Sequence, residues 1–233
     1  MPKRPIGKSD AKKFIVEHKY WTNRHLWPNT TIALSTVNSN LADPTAHNVY
    51  QNEPGKHVER FFLEKLQELS QNEELVEITA NLVQNYSPCA TCADEIVNFK
   101  KTMEERQRSF SLTIQFSSFY NHDDNREGLK NLVKNKIIFK KVFQGEKDWD
   151  KFLKNDNFVT LTTDDKQELL KMAKSDARRK REENDNEILN DIIGEAKDNK
   201  AIFSSNKINI NISDNIAFIM LHETKYCMIF SWT

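Results

Sequence analysis

Three cysteines in 233 residues are too few, and an odd number, for a disulfide-built scaffold. Such sparing use fits a reducing compartment. No apolar run approaches the roughly 20 residues needed to cross a bilayer. Met1–Asp10 is basic with no apolar stretch behind it, so no secretory leader is expected and a cytoplasmic or nuclear location is. Charge of one sign is missing too. Lysine plus arginine and aspartate plus glutamate each number 34, which excludes a histone-like or ribosomal basic protein. There is no internal repeat. What is present is a core: 38% hydrophobic residues, with 14 Phe and 4 Trp, argue against disorder.

The neutral total hides a pattern. Net charge is +4 over residues 1–56, −6 over 57–99, +4 over 100–160 and −2 over 161–233. Two basic segments flanking an acidic one can still build a local basic groove.

Periodicity lays out the elements. Asp10–Trp21 predicts a helix capped by Asp10, with Phe14, Ile15, His18 and Trp21 on one side. Thr30–Asn38 is a β-branched strand, a short second strand lies near His47–Gln51, and Pro54-Gly55 makes a turn. His57–Leu69 is an amphipathic helix and Glu77–Val83 a third strand. Ser87-Pro88 opens another helix, with Ser87 as its cap. Strands at Leu112–Phe116 and Ile137–Phe143 flank a helix at Gly128–Asn135. A helix between two strands lets them run parallel, whereas a tight turn would force them antiparallel. Trp149–Leu153 and Lys166–Ile193 read as helices. Arg178–Arg181 in the latter reads as a solvated face in preference to a nuclear targeting run. Ala201–Thr233 reads as a hairpin or poorly ordered tail.

Two short motifs carry chemistry: His57-Val58-Glu59 and Pro88-Cys89-Ala90-Thr91-Cys92. Cysteines three apart at a helix start share a face, where free N–H groups and the helix dipole favour thiolate. Two thiolates and an imidazole suit Zn²⁺ and leave the fourth tetrahedral position open, the pattern of a catalytic site. Glu59 is then the candidate proton carrier beside the metal. Two positions along a regular helix are about 200° apart, so His57 must precede the helix for Glu59 to reach the same site. A lone H-x-E is commonly a solvated helix face, and a lone P-C-x-x-C is as often a pair of buried cysteines. Together and in this order they form the signature of zinc-dependent base deaminases.

On these motifs the sequence resembles the AID/APOBEC family of polynucleotide cytidine deaminases over roughly residues 10–160. Tyr86-Ser87-Pro88-Cys89 resembles the family's aromatic-Ser-Pro-Cys, usually with Trp at the first position. Leu112–Ile114 through Ser118-Phe119-Tyr120 resembles its fourth strand and nucleotide-reading loop, and Asp148-Trp149-Asp150-Lys151-Phe152 its Trp-x-x-Phe segment. Val58 stands where the family usually has alanine, and Asn121-His122-Asp123-Asp124 is more acidic than a phosphate-binding loop. The resemblance implies an α/β, cytidine deaminase-like fold: a five-stranded mixed sheet, helices on both faces, and parallel fourth and fifth strands. It implies residues 1–160 as the deaminase domain, followed by a charged helix over 161–200 packing on or extending it and a tail of unassigned role over 201–233.

The resemblance also assigns roles. One zinc is expected on His57, Cys89 and Cys92, with Glu59 catalytic. Thr31, Asn48, Tyr86, Ser87, Tyr120 and Asn121 are expected to line the pocket, Ser87 through its backbone carbonyl. Arg24, His25, Lys56, His122 and Arg126, with Lys130 nearby, are the candidates for tracking a phosphate backbone. The expected activity is hydrolytic deamination of cytosine to uracil in single-stranded DNA or RNA, with no membrane partner. Two alternatives stand beside it: a deaminase of free cytidine or of tRNA adenosine, and a non-catalytic zinc-stabilised nucleic-acid binder.

Overall fold

The computed structural model describes residues 6–15, 28–41, 47–142, 146–154, 160–205, 210–213, 216–220 and 227–231. Its centre is built on alternation. Along Glu77–Tyr86 (β3) and Ser109–Ser118 (β4), exposed or half-exposed residues alternate with buried ones until both strands end in a fully buried polar and aromatic triplet. Ile32–Ser39 (β1) lies antiparallel to β3 and to His47–Gln51 (β2). The helices Ala90–Glu105 (α3) and His122–Lys134 (α4) carry the chain back between β3, β4 and Ile138–Lys141 (β5), so these three strands run parallel. The sheet order is β2-β1-β3-β4-β5, with the parallel fourth and fifth strands expected from sequence.

Neighbouring residues of β1 point into different cores. Ala33 and Val37 join Phe62 and Leu66 of Val58–Ser70 (α2), Ile96 and Val97 of α3, and Leu129 and Leu132 of α4. Ile32 and Leu34 join Phe14 of Lys8–Phe14 (α1), Trp149 and Phe152 of Glu146–Leu153 (α5), and Leu169 of Thr163–Ala173 (α6). Helices therefore cover both faces of the sheet. Asp176–Ser205 (α7) contributes Leu189 and Ile192 to the first core. Ile210–Ser213 (β6), Ile216–Met220 (β7) and Cys227–Ser231 (β8) pair antiparallel in a separate three-stranded sheet, one strand more than the expected hairpin. Among the described residues no helix is long and apolar enough to cross a membrane.

Several expectations are corrected. Gly7 rather than Asp10 caps α1; Asp10 lies in the first turn, paired with Lys13 at 2.9 Å. The remainder of the expected first helix, including His18 and Trp21, falls outside the described residues. Ser87 does not cap α3. Cys89 does, its sulfur accepting from the Cys92 N–H, and Pro88 stays outside the helix. α4 starts at His122, six residues before Gly128, because Asn121 turns the chain in the left-handed region at φ 43° and acidic residues fill the first helical turn. The long C-terminal helix is two, broken between Ala173 and Asp176, where the Ser175 hydroxyl accepts from the Arg178 N–H. Arg178–Arg181 is not a solvated face: Arg178 and Arg181 have no exposed surface, while Arg179 and Lys180 face solvent.

Gly128 is the close-approach glycine. A Cβ there would stand 2.6 Å from the Ala90 Cα, at the first residue of α3. The obstruction is backbone, so Gly128→Ala must push α4 from α3. Overpacking of this kind costs about 1–3 kcal/mol, and a corresponding drop in unfolding free energy by denaturant titration is the expected result.

Candidate metal centre and active site

The centre is made where two helices begin. His57 caps α2 in extended backbone, φ −79° and ψ 158°, and Cys89 caps α3 in the same way, φ −75° and ψ 165°. His57 therefore stands outside the helical rotation, and Glu59, in the first turn of α2, can turn to the same site. The His57 Nδ1 lies 3.4 Å from the Cys89 Sγ and 3.4 Å from the Cys92 Sγ. Their ligand atoms all fall within 4.8 Å of one another, the one such group among the described residues. His57 is exposed, Cys89 half-buried and Cys92 buried, so the cluster is approached from the imidazole side.

Electrostatics favours one sulfur anion here, at Cys89. The Cys89 thiol is lowered to about 5, first by the hydrogen bond from Cys92, then by the Cys92 backbone N–H and the neighbouring His57. The Cys92 thiol, donor of that shared bond, moves upward. Two sulfurs and one imidazole nitrogen at this spacing fit zinc, with a position left over. The donor set does not include the Glu59 carboxylate.

Glu59 is 3% exposed, and its burial raises its pKa above the usual carboxylate range. Its Oε1 accepts a 2.9 Å hydrogen bond from Nε2 of Gln84, a fully buried β3 residue. Sequence reasoning missed Gln84. The available signal was the Gln84-Asn85 pair in an otherwise core-forming strand, since polar side chains that deep need partners. Hydrogen bonds to charged groups are worth about 1.5–3 kcal/mol, so Gln84→Leu is expected to cut turnover about tenfold or more by freeing the carboxylate's orientation. Metal content by atomic absorption should stay at the wild-type level.

Above this floor opens a cavity. Of the predicted pocket residues, Thr31, Tyr86, Ser87, Tyr120 and Asn121 line it together with His57, Glu59 and Cys89. Tyr86 is nearly buried and Tyr120 47% exposed, with their rings 5.7 Å apart and tilted by 54°. The ends of β3 and β4 are tied together: the Ser87 N–H donates to the Ser118 carbonyl at 3.0 Å, and the Ser87 hydroxyl accepts from the Tyr120 N–H at 3.1 Å. Asn125 of α4 accepts from the Ala90 N–H and donates to the Tyr120 and Asn121 carbonyls, pinning the loop to the start of α3.

Asn48 is not at this cavity. It sits on β2 opposite Ser35, while Asn29 and Asn52 line the wall instead. The Asn52 side chain accepts from the Thr31 N–H at 2.7 Å and donates to the Asn29 carbonyl at 3.3 Å. Asn85 accepts from the Ile32 N–H and donates to the Thr30 carbonyl, so Thr31 is held from both sides. The two asparagines four residues apart, in a stretch read as strand and loop, gave no pattern to choose between them.

The predicted basic residues stand apart from the cavity lining. Lys56 pairs with Glu64 at 2.6 Å and lies over the Phe61 ring; Arg126 pairs with Glu195, as does Lys130 at 3.2 Å. His122 is 3.0 Å from Asp123. Arg24 and His25 lie outside the described residues.

A family model described as invertebrate AID/APOBEC deaminase matches residues 15–202, a span that holds both motif segments, the sheet and nearly all of α7. No curated protein matches the sequence. With four-fifths of its length matched and the His57, Cys89, Cys92 and Glu59 arrangement at the paired helix starts, this chain belongs to the invertebrate AID/APOBEC deaminase family.

Proposed function

We propose that the protein is a zinc-dependent hydrolytic deaminase that converts cytosine to uracil in single-stranded DNA or RNA. One observation carries the reading: a buried carboxylate outside the donor set stands beside a three-ligand cluster at the floor of a cavity flanked by two tyrosines. A purely structural site has no use for that carboxylate. Zinc held by His57, Cys89 and Cys92 would lower the pKa of water toward neutrality and so supply hydroxide at working pH.

The chain's own residues do the rest. Glu59, oriented by Gln84, carries protons to the ring N3 and to the departing amine; cytosine and water become uracil and ammonia. Tyr86 and Tyr120 offer ring faces to an extruded base, and the Ser87 carbonyl is suited to accept from the amino group. Thr31 and Asn121 complete the wall, and Lys56 and Arg126, with His122, are the described basic residues we assign to an approaching phosphate backbone.

The test is direct. Purified protein is incubated with single- and double-stranded DNA and RNA and with free cytidine; the polynucleotides are sequenced for C-to-U and adenine changes, and the cytidine is assayed for uridine. Conversion on single strands supports the reading. Conversion of free cytidine alone, or of adenine, moves the substrate class, and metal-loaded protein inert on all of them overturns it.

A further inference from the structure

The basic tetrad of α7 is sorted by the helix into two outward and two inward side chains, and the inward pair ends on the backbone of β4. The Arg178 guanidinium donates to the Ser117 carbonyl at 3.0 Å and to the Ser118 hydroxyl at 2.9 Å. The Arg181 guanidinium donates to the Phe119 carbonyl at 2.9 Å. Lys141 of β5 also donates to the Ser117 carbonyl. These carbonyls lie where the β4 ladder gives out, and the next residues are Tyr120 and Asn121, two walls of the cavity.

The far side of the cluster is anchored as firmly. Asp185 accepts from Arg181 at 3.1 Å and from Lys141 at 2.9 Å; Glu182 accepts from Arg178 at 2.9 Å and from the Trp149 indole at 2.8 Å. The Arg178 guanidinium also lies 5.3 Å from the centre of the Trp149 ring. Arg178, Arg181, Asp185 and Lys141 are all sealed from solvent. Buried ion pairs are weak devices for stability, since well-packed apolar side chains commonly do as well. What arginine adds is geometry: a planar fork that binds several acceptors in fixed directions.

We propose that Arg178 and Arg181 are positioning residues for the cavity. By holding Ser117–Phe119 they fix Tyr120 and Asn121, so that α7, some sixty positions further along the chain, sets which nucleotides beside the target base the wall accepts. The selectivity half of this rests on the cytosine-deaminase reading above; the positional half does not.

Arg181→Met is the informative variant because it leaves two balanced pairs, Lys141 with Asp185 and Arg178 with Glu182. Arg179→Met is the control, since Arg179 is exposed and pairs only at the surface with Asp176. Amide hydrogen exchange is followed by mass spectrometry, alongside zinc content and steady-state kinetics on oligonucleotides that differ in the base 5′ to cytosine. In Arg181→Met, exchange across 117–122 is expected to quicken about tenfold or more while α2 and α3 keep their protection and zinc is retained. KM should rise, kcat should move little, and the preference among 5′ bases should flatten; Arg179→Met should match wild type in all of these. Unchanged exchange at 117–122, or loss of protection spread evenly over the sheet, would overturn the proposal. If Arg181→Met does not fold, Arg181→Lys, which keeps the charge but not the fork, is read by the same local exchange and the same criteria. Wild-type protein inactive on every oligonucleotide would sink the deaminase reading, with the exchange result still deciding the clamp.

Discussion

Glu59→Ala is expected to leave a folded, zinc-loaded protein whose deamination rate falls about 10²–10⁴-fold, the usual share of general acid–base catalysis. The expectation comes from position. Glu59 is buried in the first turn of α2, outside the set of atoms that fit a metal, with one oxygen held by Gln84. Removing it takes away the proposed proton carrier and no member of the donor set. Glu59→Gln is the sharper variant, because it keeps the volume and an acceptor for Gln84 while losing the ability to take a proton. Both should carry zinc at the wild-type ratio, checked by metal analysis on unchelated protein. Near-normal turnover in either would remove the catalytic assignment, and loss of zinc in Glu59→Gln would make the residue part of the metal's support.

Cys92→Ala is expected to do more damage. Wild-type protein should hold one zinc per chain, and the variant should hold essentially none, with activity gone. The loss extends to stability. Cys92 is buried at the root of α3, so its loss also leaves the space of a sulfur unfilled. Metal binding that requires folded ligands contributes its free energy to folding, so the midpoint of thermal unfolding should fall together with the metal. Treating wild type with a chelator should reproduce the shift, and added zinc should reverse it in wild type alone. A Cys92→Ala protein that still bound zinc stoichiometrically would show that the centre had been misidentified.

Much of this was legible because its causes are local. The metal cluster could be read from spacing: cysteines three apart at a helix start have few other ways to lie, and the Pro54-Gly55 turn leaves His57 free of the α2 rotation. The parallel pairing of β4 and β5 followed from the helical pattern between them. Where reading stopped, the cause was nonlocal. Arg178-Arg179-Lys180-Arg181 has the composition of a solvated face, yet positions 178, 181 and 185 extend the buried stripe of Leu189 and Ile192 by about three turns of polar side chains. Only the partners on β4 and β5, brought alongside by the fold, distinguish the two. Ser87 has the local chemistry of a helix cap, but its hydroxyl is claimed by Tyr120 just beyond the end of β4, leaving the cap to Cys89. Gln84 and Asn85 belong to the same class, polar residues whose partners lie 25 or more positions away, at Glu59 on α2 and at Thr30 and Ile32 at the start of β1.

The cavity draws its floor and its walls from different parts of the sheet. His57, Glu59 and Cys89 come from the starts of α2 and α3, seated in the principal core, whereas Asn29, Tyr120 and Asn121 come from segments beyond the strand ends. Floor and wall can therefore change independently of one another. Substitution or lengthening of the turn between β4 and α4 can reshape that wall while His57, Glu59 and Cys89 keep their positions. The core that such a change in α2 or α3 would break is untouched by it, so the turn between β4 and α4 can be recast without unseating the two helix starts beneath.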